Sequence, residues 1–433
     1  MFAAVAVLRM RRYRAPRHNT ITRQVLRTIG RHILQLLREQ LLPATILVAR
    51  LAWLTFFDRR LCRPSVKRAV AMLAFLPVFV TVQCLHWLGF VLDEILFPRY
   101  RKIQIRKPLF IVGPPRTGTT LLHRTLAQDD QFTTLRTWEL VFALSITARK
   151  ILRALAKLDR RAGGLLARAL ARVERRALRP FDDVHGVSLN APEEDYFALT
   201  PIAACFLLVI PFPGCEALWR LSRLDHALSA RDKRRILSFY TLCLQKHLYV
   251  YGAHKRLLSK NSSFSSWTGA LRETFPDCRI VCCLRDPAAA VPSLLNSIQA
   301  GLRFFDIERG GLLYARMTAM MRHYYQHLLA QLPSMPAERR AFVELAELHR
   351  DLRGTVTQVY QRLQLPLSPA FETRLQRAAP RARAHRSPCA YNLQQFGLDR
   401  DVIHARFGIY YRWRRQQAGP RPAAHRAKRA AHQ

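Results

Sequence analysis

From residue 108 onward the chain alternates short apolar runs with longer stretches of helical periodicity. The runs Leu109-Phe110-Ile111-Val112 and Ile280-Val281-Cys282-Cys283-Leu284 hold no charged position. A strand that is apolar on both faces belongs inside a parallel sheet covered by helices on both sides. The pattern therefore predicts an α/β core with a parallel sheet flanked by helices. Helical stretches are expected over about 302–332 and 341–363. An Arg/Ala/Leu-rich helical insertion is expected near 148–180, broken at Gly163-Gly164 and read as a lid or acceptor-side element.

The first hundred residues follow a different pattern. Residues 1–41 interleave Arg with apolar positions, as in Ile21-Thr22-Arg23-Gln24-Val25-Leu26-Arg27, which reads as a basic amphipathic helix. Leu42 to Phe57 is apolar but contains Arg50 and is short for a membrane crossing. Ala69 to Leu92 has the length to span, with Gln83 and His86 as its polar breaks and Pro77 as a possible kink. Basic residues flank this run at both ends, Lys67 and Arg68 before it and Arg99, Arg101 and Lys102 after it, so charge bias sets no direction across a bilayer. Two readings stay open: hydrophobic helices packed on the folded domain, or membrane association as a hairpin or as interfacial helices, with the catalytic domain cytoplasmic. A single span with a lumenal catalytic domain is the alternative. The expected division is a membrane-associating region over 1–100, a catalytic domain over 101–415 and a basic, disordered tail over 416–433.

The first apolar run leads into Gly113-Pro114-Pro115-Arg116-Thr117-Gly118-Thr119-Thr120-Leu121. This is nearly the phosphate-binding pattern G-x-x-x-x-G-K-[ST], with Thr119 where the Lys that reaches the β- and γ-phosphates would stand. The substitution argues against ATP or GTP hydrolysis. It leaves a P-loop-like turn whose backbone N–H groups, with Arg116, suit a smaller anionic group.

The second run ends in Arg285-Asp286-Pro287, with Ser293 eight residues after the Arg. Together the two motifs resemble the donor site of the sulfotransferases that use 3′-phosphoadenosine 5′-phosphosulfate (PAPS), in particular the bacterial and tyrosylprotein type. Arg136-Thr137-Trp138-Glu139-Leu140, Pro192-Glu193-Glu194-Asp195-Tyr196 and Leu257-Leu258-Ser259-Lys260 extend the resemblance from about Arg101 to Trp413. The chain departs from it at Lys260-Asn261-Ser262, where the family often has Lys-x-Pro.

The resemblance implies that Gly113, Pro115, Arg116, Thr117, Gly118, Thr119 and Thr120 hold the 5′-phosphosulfate. It implies that Arg285 and Ser293 hold the 3′-phosphate, a guanidinium fork and a hydroxyl being suited to that anion. It makes Glu139 the general base, with Trp138 expected to shield the carboxylate and raise its pKa. His185 is the alternative base. Lys260 is placed near the leaving oxygen or the acceptor, and Tyr391 and Arg386 near the nucleotide. The implied activity is direct in-line transfer of a sulfuryl group to an acceptor hydroxyl of a lipid, a glycan or another molecule.

Composition modifies this picture in two places. The formal charge is +41, and only ten of the seventy basic residues are Lys. The Arg residues are scattered and carry no nucleic-acid-binding signature, so an anionic donor and an anionic membrane surface are the expected partners and nucleic acid is not. Nine Cys, several inside apolar runs, read as buried free thiols and favour a reducing compartment. Glu193 and Glu194 lack metal-pair spacing, and no metal is expected. A P-loop kinase-like enzyme and a membrane-associated nucleotide-binding protein without sulfotransfer are the alternatives.

Overall fold

A computed structural model describes residues 20–57, 65–178, 188–307, 310–384 and 393–417. Five parallel strands form one sheet in the order β2-β3-β1-β4-β5. They are β1 (Leu109–Val112), β2 (Phe132–Thr133), β3 (Arg256–Lys260), β4 (Arg279–Leu284) and β5 (Arg340–Glu344). Side chains that alternate along a strand enter separate cores on the two faces. Phe110, Val112, Ile280 and Cys282 pack into one core, and Leu109, Ile111, Val281 and Cys283 into the other. The seven described cysteines are free thiols, and burial raises the Cys283 thiol to about 12.

The helices used below are α1 (Thr20–Leu36), α2 (Leu42–Phe57), α3 (Val66–Leu96), α4 (Thr119–Leu126), α5 (Thr137–Phe142), α6 (Ile146–Arg161), α7 (Leu165–Leu178), α8 (Ala230–Tyr251), α9 (Thr268–Thr274), α10 (Pro287–Ser297), α11 (Gly310–Gln331) and α12 (Gly408–Gln417). Two expectations need correction. Residues 341–363 are not wholly helical, because Arg340–Glu344 is the edge strand β5, hidden in the sequence by its shortness and by the helix that follows directly. The run Leu42–Phe57 is not a separate short segment, because a π-helical turn at Leu37–Leu41 joins it to α1, and the continuous helix over Leu26–Phe57, 32 residues, contains a window apolar enough to cross a membrane.

Helix α3 continues through Pro77 and is anchored to the α/β core at both ends. Near its start the buried Arg68 guanidinium donates to the carbonyls of Phe305 and Pro211, each at 3.1 Å. Near its end buried Asp93 accepts from the Ile146 and Thr147 backbone N–H groups, each at 2.8 Å, and from Lys246 Nζ at 2.9 Å. Between these anchors Leu73, Val78, Leu85 and Leu88 face outward, each more than half exposed.

The insertion forms the hairpin α6–α7, turned by Gly163 and Gly164 at φ of 88° and 72°. Both helices are amphipathic, yet their apolar faces are uncovered. Ile151, Leu155 and Leu158 on α6 and Leu166, Leu170 and Val173 on α7 are all at least half exposed.

Candidate active site

The candidate residues of the 113–118 loop, Lys260 and Arg285 lie where β1, β3 and β4 end, at the carboxyl edge of the sheet, the usual ligand side of such sheets. β1 lies between β3 and β4, with Ile111 in register with Lys260 on one side and Val281 on the other. The loop after β1 therefore opens beside the ends of both neighbours.

Backbone geometry explains the residue types in that loop. Gly113 has φ 154°, and a Cβ there would lie 2.3 Å from the Cys283 carbonyl oxygen. Gly118 has φ 88°, and a Cβ there would lie 2.6 Å from Leu345 Cδ1. Both positions require glycine, for the left-handed backbone and for the close approach. Arg116 also adopts positive φ, at 70°. Thr117 Oγ1 donates to the Pro114 carbonyl at 2.7 Å, and Gly113 N–H donates to Ser265 Oγ at 3.1 Å. Pro115 lies within the loop, and Thr119 and Thr120 open α4 directly after Gly118.

The two sequence motifs meet directly. Arg116 Nε donates to Ser293 Oγ at 3.0 Å, and Arg285 donates to the Arg116 carbonyl at 3.2 Å. Asp286 fixes the second motif by capping α10, accepting from Ala288 N–H at 2.9 Å and from the Tyr411 hydroxyl at 2.7 Å. The Tyr325 hydroxyl donates to the Arg285 carbonyl at 2.6 Å. Ser265, Tyr325 and Tyr411 were not legible as site residues, because their contribution is a tertiary hydrogen bond with no local motif.

Glu139 is fully buried and accepts from the Arg136 backbone N–H at 3.0 Å. Arg149 Nε, on α6, lies 2.8 Å from its Oε1, and His247 Nδ1, on α8, lies 3.2 Å away. Burial pushes this carboxyl upward, but His247, Arg149 and the Arg136 N–H outweigh it and hold Glu139 at about 2. The expectation that Trp138 raises this pKa is reversed. Buried Arg149, supplied by a helix ten residues further along the chain, could not be paired with Glu139 from sequence. Its two terminal nitrogens have no hydrogen-bond partner among the described residues.

Lys260 is 3 % exposed in its side chain and ion-pairs with Glu194, which also accepts from Ser262 N–H at 3.4 Å. Asp195 accepts from the Tyr240 hydroxyl at 2.5 Å, and burial raises it to about 7. Glu194 and Asp195 thus turn inward as partners of β3 and α8, and neither side chain caps the helical segment that begins at Asp195. His185, Tyr391 and Arg386 lie outside the described residues.

The fold is a parallel α/β sheet with a glycine-shaped loop after its central strand, tied by Arg116 to Ser293 on the helix after β4, and no Lys occupies the P-loop position. The comparisons identify the family. The sequence pattern of the sulfotransferase family matches residues 108–369, more than half of the chain, and the chain belongs to that family. Sulfotransferase STF9 from Mycobacterium avium is similar in fold, with a TM-score of 0.63 and 20 % identity over 81 % of this chain and 86 % of that one. Sulfotransferase STF1 from Mycobacterium tuberculosis H37Rv has a TM-score of 0.52 and 18 % identity over 80 % of this chain and 99 % of that one. No curated protein sequence matches the chain.

Proposed function

We propose that this sulfotransferase uses PAPS as donor and transfers its sulfuryl group in line to an acceptor hydroxyl at a membrane surface. The observation that carries the donor assignment is the Arg116–Ser293 contact, which makes one continuous anion site of the two motifs. The loop N–H groups and Arg116 hold the 5′-phosphosulfate, and Arg285 and Ser293 hold the 3′-phosphate. The acceptor oxygen forms a bond to sulfur as the bond from sulfur to the 5′-phosphate oxygen breaks, and adenosine 3′,5′-bisphosphate leaves. Arg116 neutralises the charge that develops on the departing oxygen, as in other transfers that depend on placement and electrostatics.

Glu139 takes the acceptor's proton. It is ionised at neutral pH, but Arg149 makes it a weak base. An acceptor that draws Arg149 aside on α6 raises its basicity, so the hairpin α6–α7 is read as the acceptor-side element, and His185 is the second candidate base. Lys260, held by Glu194, stands at the end of β3 beside the loop and supplies positive charge there.

Membrane attachment is supported by the apolar exposure of Leu26–Phe57 and Val66–Leu96, whose most apolar windows are only 22 % and 17 % buried. A helix of 31 residues is about 46 Å long, enough to cross a bilayer. Yet Arg68 and Asp93 tie its two ends to the same domain. That favours attachment along one face over a single crossing and weighs against the lumenal alternative. The uncovered apolar face of α6–α7, packed beside α3, extends the same surface. Basic side chains such as Arg153 and Lys157 on α6 suit anionic headgroups. The acceptor is accordingly read as a lipid or a membrane-tethered glycan. Incubation with 35S-labelled PAPS and a membrane lipid extract, with a soluble phenol in parallel, tests this. Label in the organic phase is expected; label only on the phenol overturns the lipid acceptor, and no label on either overturns sulfuryl transfer to these acceptors.

A further inference from the structure

A second constellation lies apart from the donor loop. His323 and His327 stand one turn apart on α11, and His226 is brought to them by the short helical turn Leu224–Ala227. One ring nitrogen from each lies within 4.8 Å of the other two. His226 Nε2 is 3.1 Å from His327 Nδ1, and the three ring centroids are 5.1 to 5.7 Å apart. We propose that His226, His323 and His327 form a binding site for a late first-row divalent cation, with zinc as the reference ion.

The chemistry around the cluster favours ligation. Asp225 Oδ2 lies 3.0 Å from His327 Nε2, and the same carboxylate accepts from the Gly269 and Ala270 N–H groups at 2.7 and 3.0 Å. A carboxylate fixed in this way accepts a hydrogen bond from His327 Nε2–H, which also lies 3.0 Å from Thr268 Oγ1, and so leaves Nδ1 as a lone pair directed at His226. That is the carboxylate–histidine–metal arrangement, in which an outer carboxylate sets the ligand tautomer. His323 Nε2 is buried and has no hydrogen-bond partner among the described residues, so this ring nitrogen is not committed elsewhere within them. Three imidazoles suit zinc, cobalt or nickel rather than magnesium or calcium, and three protein ligands leave a fourth position open.

The position gives the site a structural consequence. Tyr325, between the two ligands on α11, donates to the Arg285 carbonyl, so the cation would brace the helix that braces the donor motif.

The test is calorimetric titration of the untagged full chain with Zn²⁺ at neutral pH, with Co²⁺ absorption spectra in parallel. Because the chain contains fifteen His, variants decide the location. His226 is exposed and His323 half-buried, so His226→Ala and His323→Ala are expected to fold, which a thermal melt checks, while exposed His254→Ala is the control. One Zn²⁺ per chain, weakened more than about tenfold by each cluster substitution but not by the control, is expected. A Co²⁺ spectrum of tetrahedral type should disappear with the same substitutions. Absence of saturable binding, or binding that survives either cluster substitution, overturns the proposal.

Discussion

Arg116 Nε donates to Ser293 Oγ at 3.0 Å across 177 residues of sequence, joining the loop after β1 to the helix after β4. Ser293 is 1 % exposed, so its hydroxyl is held toward the Arg and not toward bulk water. A hydrogen bond to a charged partner contributes about 1.5–3 kcal/mol. Ser293→Ala should therefore lower the stability of the free chain through the lost Arg116 contact, and weaken adenosine 3′,5′-bisphosphate binding by roughly tenfold or more through the lost hydroxyl at the 3′-phosphate, measured by melting and titration of the same sample.

Gly118 combines φ 88° with a wall at Leu345. Forcing a residue with Cβ into left-handed backbone costs about 1–2 kcal/mol before any overlap is counted. Gly118→Ala should lower stability by at least that amount in urea denaturation. Adding Leu345→Ala should relieve the overlap but leave the backbone cost.

Glu139 and Arg149 form a buried pair. Glu139→Gln should lower kcat by about 10²- to 10⁴-fold while leaving bisphosphate affinity unchanged, separating proton transfer from donor binding. Arg149→Met leaves a buried carboxylate without its cation and should cost about 3–5 kcal/mol. Because His247, Arg149 and the Arg136 N–H hold the folded pKa at about 2, below the ordinary 4.5, these contacts together stabilise the fold above pH 4.5 and lose that contribution as pH falls toward 2. The acid limb of a stability-versus-pH curve should be shallower in Glu139→Gln than in the parent.

Asp195 behaves oppositely. Its folded pKa is raised to about 7 from 3.8, chiefly by burial. Between those values the folded chain keeps a proton that the unfolded chain releases, so stability falls as pH rises from about 4 to 7 and levels off above. Asp195→Asn, which retains an acceptor for the Tyr240 hydroxyl, should flatten that decline. Urea midpoints at pH 5 and pH 8 on the two proteins measure it.

The central strands and the anion loop were readable in the sequence because each depends on local features: apolar runs without charge, and glycines at fixed offsets. Arg285 and Ser293 were singled out by the resemblance to the sulfotransferases, and the structure brings both against Arg116. The pairing of Glu139 with Arg149 and His247 was not readable, since three separate helices supply it and the sign of the Glu139 shift depends on all of them. β5 was missed because Arg340–Glu344 is five residues long and passes directly into a helix. The histidine cluster was missed for a related reason: His226 lies about a hundred residues from its partners, and no spacing rule connects them.

The most direct test of the account is calorimetric titration of the detergent-solubilised protein with adenosine 3′,5′-bisphosphate and, separately, with ATP-magnesium, repeated on Arg285→Ala. Saturable bisphosphate binding that the substitution abolishes, with weaker or no ATP-magnesium binding, is the predicted result. Absence of bisphosphate binding, a preference for ATP-magnesium, or bisphosphate affinity unaffected by Arg285→Ala would contradict the donor site described above.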